Sequence, residues 1–244
     1  MNVRSRARSL GLAAAAALVV AVSAGAMGPP TATYEVTIEN LTDGQPFTPP
    51  VVAAHRAATE VFDVGSEASP GMQEIAENGN LAPLIAALGG DRHVSGTAVG
   101  TYPLVPSGLP GSGVGADDVT LVVTGSAGAN RLSFVAMLIC TNDGFTGVDA
   151  LHLPARVGDT VTAYTNGYDA GTEVNTEDFA DIVPPCQGLV GVASGEAGTG
   201  TSSPALAEGG VIRHHSGIAG SSDLLPGVHG WDDPVARITV ERIG

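Results

Sequence analysis

The 244-residue chain contains no lysine, one tryptophan and two cysteines, and aromatic residues make up only 4% of it. Each scarcity narrows the function. Its basic side chains are all arginines, 10 against 25 Asp and Glu, for a formal net charge of −15. A surface of that sign repels nucleic acid and anionic lipid and attracts divalent cations. The run Gly111-Ser112-Gly113-Val114-Gly115 is not a phosphate loop, because no helix follows it and no lysine is available. With so few aromatics, the chain is poorly supplied with the platforms that line a glycan-cleaving cleft. No Gly-x-Ser-x-Gly elbow is present, and the Asp-x-Asp-x-Asp-Gly spacing of an EF-hand is missing. There is no internal repeat and no domain linker.

One apolar run exists, Leu10 to Val22, and it follows Arg4, Arg6 and Arg8. It is short for a bilayer span and ends at the small-residue signal Ala24-Gly25-Ala26, so residues 1–26 read as a secretory signal peptide. No cysteine follows for lipidation, and the mature chain has no second run long enough to be transmembrane. The expectation is an exported, extracellular protein whose residues 31–244 form one domain. Without the three leader arginines it carries 7 Arg against 25 acids, a net −18. In an oxidising compartment Cys140 and Cys186 are expected to pair, stabilising the fold by roughly 4 kcal/mol in the chain-entropy picture.

Glycine and proline are abundant, at 34 and 16 residues. Between them lie short Val/Thr-rich runs that favour β structure. Thr33 to Glu39 alternates, with Tyr34, Val36 and Ile38 on one face. Val51 to His55, His93 to Thr101, Val119 to Val123 and Leu132 to Ile139 follow. The last two read as a hairpin around Gly125–Asn130. Leu132 to Ile139 is apolar on both faces and therefore central. Val148 to Leu153 and Asp159 to Tyr164 read as the next pair, and Val211-Ile212 and Ala236 to Arg242 as late strands. Ser69-Pro70 opens a short helix stopped by Asn78-Gly79. Leu81, Leu84, Ile85 and Leu88 mark a second. Gly188 to Ala205 reads as a mobile loop. About eight strands with one or two short helices inserted predict an all-β, antiparallel β-sandwich.

The chemistry concentrates between Met137 and Glu173. Asp143 follows a central strand in Asn142-Asp143-Gly144, and Asp149 further along is a candidate fourth ligand. Asp169 and Glu173 are four apart across Ala-Gly-Thr, and Gly171 permits a tight fold that lets both carboxylates converge. Clustered carboxylates with nearby carbonyls suit calcium, which takes six to eight oxygens. Zinc is disfavoured, since only the adjacent His214-His215 pair offers nitrogen, and neighbours on a strand face opposite ways. Asn40-Leu41-Thr42 is a glycosylation sequon.

Several stretches resemble the spondin N-terminal domain family. They are Tyr34 to Thr42, Phe47 to His55, Asp143-Gly144-Phe145-Thr146-Gly147-Val148-Asp149, Tyr168-Asp169-Ala170-Gly171-Thr172-Glu173, His214 to Ile218 and Trp231 to Val240. The resemblance spans residues 33–243. It implies a C2-like, Greek-key β-sandwich and a Ca2+ site built from Asp143, Asp169 and Glu173. The last is Glu where animal members usually have Asp, and a longer arm alters geometry or makes the ligand bidentate. It also implies a secreted, non-enzymatic binding or cell-adhesion module whose partner is an extracellular protein or glycan. The thrombospondin repeats of animal members do not occur in this sequence. The competing reading is a secreted hydrolase using Asp143, Asp169 or Glu173 as acid and base, which requires a raised pKa in a concave cleft.

Overall fold

The computed structural model describes residues 31–244; the expected signal peptide lies outside them. The alternating strand at the start is β1 (Thr31–Asn40). It is followed by β2 (Val51–His55), α1 (Pro70–Asn78), α2 (Ala82–Gly90), β3 (Val94–Val99), β4 (Asp118–Ser126) and β5 (Arg131–Met137). Next come β6 (Gly144–His152), β7 (Thr160–Thr165), β8 (Gly167–Asp169), α3 (Pro185–Val190), β9 (Arg213–His214), α4 (Pro226–His229) and β10 (Ala236–Arg242). They form two sheets, β4-β1-β10-β7 and β3-β2-β5-β6-β8-β9, and every pairing is antiparallel. The fold is the β-sandwich expected from the sequence.

Period-two alternation explains the layers. Tyr34, Val36 and Ile38 point inward from β1 and meet Val52, Ala54, Leu132, Phe134 and Ala136 of the larger sheet. The intervening Val51, Ala53 and Val135 face the other way, onto Met72, Ile75, Leu84 and Leu88 of α1 and α2. The helices thus make a third layer, which is why β5 is apolar on both faces. The first helix has the expected caps: Ser69 Oγ accepts from Met72 N at 3.3 Å, and Gly79 ends it at φ +63°.

Two pairings differ from expectation. β4 and β5 are not a hairpin, because β4 pairs with β1 and β5 with β2 and β6. β6 and β7 likewise lie in different sheets, β7 pairing with β10. Both connections arch from one sheet to the other, and sequence proximity carries no information about which sheet a strand joins. The loop read as mobile begins as α3, whose Leu189 and Val190 are buried. Asn40 is 5% exposed, and its amide donates to Gln45 O and Leu104 O, so the sequon serves packing.

Candidate metal centre

The turn after β5 is fixed by Thr141, whose Oγ1 donates to Leu138 O at 2.6 Å and accepts from Gly144 N at 2.9 Å. This places Asp143 at the mouth of β6. Gly144 is paired with Asp169 of β8, and Ala170 N donates to Asp143 O at 3.1 Å. The chain then bends through Gly171 at φ +69°, where a Cβ would lie 2.5 Å from Val211 O, so only glycine fits. The bend wraps the Asp143 carboxylate: its Oδ2 accepts from Thr172 N (2.8 Å), Glu173 N (3.1 Å) and Thr172 Oγ1 (3.3 Å). Among the described residues Asp143 Oδ1 has no partner, and the residue is 0% exposed.

Asp169 is satisfied differently. Its Oδ1 accepts from Gly171 N, and its Oδ2 accepts from Asn175 Nδ2 at 2.8 Å and Arg213 Nη2 at 3.0 Å. Glu173 Oε1 accepts from Ser203 N at 3.2 Å. All three expected ligands are therefore buried in one hydrogen-bonded patch. They do not form a tight trio, since the only three ligand atoms within 4.8 Å of one another among the described residues belong to Cys140, Cys186 and His229.

Electrostatics reflects that burial. Desolvation, then the charge of Asp169, pushes Asp143 up to about 6. Desolvation also raises Glu173 to about 7, with Glu77, Asp143 and Asp181 adding to it. Arg213, Asn175 and Ser203 escaped the sequence reading, and nothing local marks a residue 44 positions away as the partner of Asp169.

The cysteine–histidine trio is not a metal site. Cys140 and Cys186 are bridged. His229 Nδ1 accepts from Leu225 N, so the ring proton sits on Nε2, which is a donor rather than a ligand.

Asp149 does not join the patch. It lies five residues beyond Gly144, roughly 16 Å along β6 at ordinary strand rise. Its Oδ1 accepts from Val61 N (2.9 Å) and Ser133 Oγ (2.7 Å), and Ser133 Oγ sits 2.8 Å from His55 Nε2. This Ser–His–Asp grouping is no hydrolase triad. The serine gives its only hydrogen to Asp149, and His55 and Ser133 are 0% and 1% exposed. Its role is structural. Ser133→Ala is expected to lower unfolding stability by about 1–3 kcal/mol, measured by urea denaturation, by leaving His55 Nε2 and Ala150 N without a partner.

An open cleft of about 630 Å3 is lined by Leu41, Asp43, Ser216, Trp231 and Asp232 among others, and by none of the three carboxylates. The raised pKa values that a hydrolase needs are present, but on side chains sealed from solvent. No helix of the described residues is long and apolar enough to cross a membrane. A sequence model of the family described as Spondin_N matches residues 40–179. A search of the curated proteins finds no match.

Proposed function

The chain belongs to the spondin N-terminal domain family, and from that premise we propose that it is an exported β-sandwich whose acidic patch binds calcium and so shapes an extracellular binding surface. The observation that carries this reading is Asp143 Oδ1, a fully buried carboxylate oxygen with no hydrogen bond beside a second carboxylate. Burying an uncompensated charge costs several kcal/mol, so such an atom calls for a cation. The donor set is all oxygen, which favours hard Ca2+ over zinc. Asp143, Asp169 and Glu173 would hold the ion, with Thr172 and backbone carbonyls as further donors. Arg213 bears on the fit. It supplies positive charge to Asp169, and its side chain is 43% exposed, leaving solvent for it to move into as an ion enters.

Calcium there would tie the turn after β5 to the loop after β8. The partner in this reading is an extracellular protein or glycan, and the module binds rather than catalyses, in keeping with carboxylates that no substrate reaches. The test is thermal unfolding of residues 31–244 in EDTA, in calcium and in magnesium at fixed ionic strength. A ligand at 100 times its dissociation constant adds about 2.7 kcal/mol, a rise of several degrees for a domain of this size. A calcium-specific rise is expected. No rise, or an equal rise with magnesium, would sink the proposal.

A further inference from the structure

The last turn of helix α1 carries a carboxylate of which one oxygen is left without a partner among the described residues. Glu77 is 4% exposed. Its Oε1 accepts from Gln73 Nε2 at 2.8 Å, while Oε2 is buried without a partner. Asp143 Oδ1 is the other carboxylate oxygen in that condition among the described residues. None of the ion pairs among those residues includes Glu77. The helix itself makes matters worse, because its C-terminal end concentrates partial negative charge and its last turn contains no basic residue.

Three observations place Glu77 beside the candidate ligands. Its charge acts on Glu173 more strongly than that of Asp143 or Asp181. Gln73, which holds it, lines one small opening together with Gly171 and Thr172. The next residue, Asn78, donates to Ser202 Oγ at 2.9 Å, adjacent to the Ser203 amide that binds Glu173. Two unsatisfied carboxylate oxygens, one on a helix and one on the turn before β6, thus belong to residues that neighbour Glu173.

We propose that Glu77 is a fourth carboxylate ligand of the calcium site, so that the bound ion clamps helix α1 onto the acidic loops. The inference rests on the calcium reading above. It extends the site from two loops to three elements and makes the α1–α2 layer responsive to calcium. Calcium affinity follows the number of charged ligands.

The experiment titrates purified residues 31–244 with calcium by calorimetry, comparing wild type, Glu77→Gln and Glu74→Gln. Glu74 lies on the same helix and bonds Asn78 and Asn80, so its variant removes equal charge without touching the site. Glu77→Gln is expected to weaken calcium binding about tenfold or more, and Glu74→Gln to leave it nearly unchanged. In EDTA, Glu77→Gln should also melt higher than wild type, because a buried repulsion is removed. A wild type that binds calcium while Glu77→Gln binds equally well overturns this inference and leaves the calcium reading intact. Equal weakening by Glu74→Gln also overturns it, as a field effect without ligation. A wild type that binds no calcium defeats both. Amide hydrogen exchange of the wild type needs no variant: calcium should slow exchange at residues 74–79, and protection confined to residues 141–144 and 169–174 would contradict the clamp.

Discussion

Asp143→Asn is expected to raise the melting temperature in EDTA and to abolish the calcium-specific rise. The side chain is 0% exposed, and its pKa of about 6 against an ordinary 3.8 measures how poorly the site tolerates its charge. At 1.36 kcal/mol per unit, ionising it above pH 7 costs the native state on the order of 3 kcal/mol. Asparagine keeps a carbonyl for Thr172 N and Glu173 N and removes the charge that faces Asp169. The pH dependence has a definite sign. A carboxyl whose folded pKa lies above its unfolded value contributes stability at low pH and loses it as pH rises through the folded value. Stability of the wild type in EDTA should therefore fall between about pH 4 and pH 7 as Asp143 and Glu173 ionise, whose folded values are about 6 and about 7. The advantage of Asp143→Asn should be large at pH 8 and vanish near pH 4. Melting curves at those two pH values, with and without calcium, decide the matter. A variant that melts no higher than wild type at pH 8 in EDTA, or that keeps the calcium response, rules out a charge-starved ligand at this position.

The sandwich was legible because burial imposes period two. Tyr34, Val36 and Ile38 face the core as their spacing predicts, and the doubly apolar β5 does sit centrally, between β2 and β6. Strand pairing was not legible where connections arch. The Gly125–Asn130 turn looks the same in sequence whether β4 and β5 share a sheet or face each other across the core. At the site, Asp143, Asp169 and Glu173 could be named because they lie in short acidic loops around Gly144 and Gly171. Glu77 and Arg213 could not. Glu77 reads as an ordinary polar residue of an amphipathic helix, and only the packing of α1 over the larger sheet turns it inward. Arg213 reaches Asp169 through the two-residue pairing of β8 with β9, too short for any periodic signal. Asp149 shows the converse. It carries the right chemistry and lies near in sequence, yet the rise of β6 takes it away from the patch and gives it to Ser133.

The disulfide should contribute about 4 kcal/mol to the fold, and its loss should be felt at the site. Cys140 and Cys186 are 46 residues apart, and the ring they close contains Asp143, Asp169 and Glu173. Both cysteines are fully buried, in a cluster with Met137, Phe179, Ile182, Leu189 and Leu224 that joins the end of β5 to α3. Beside them Gln45 bonds Cys140 N and O and His229 O, so the bridge is part of a braced end of the sandwich. Opening a ring of that length releases chain entropy worth about 4 kcal/mol, or roughly 10 °C in melting temperature for a domain of this size. Cys140→Ala/Cys186→Ala is expected to lose that much, and reduction of the wild-type protein by a thiol should reproduce the shift without leaving an alanine cavity. Calcium binds the folded chain, so the stability it adds is set by its affinity for the folded site. The bridge braces the turn that carries Asp143, three residues beyond Cys140, so the gain from calcium in degrees should be smaller in the double variant than in the wild type. Equal gains would show that the bridge and the acidic patch are independent.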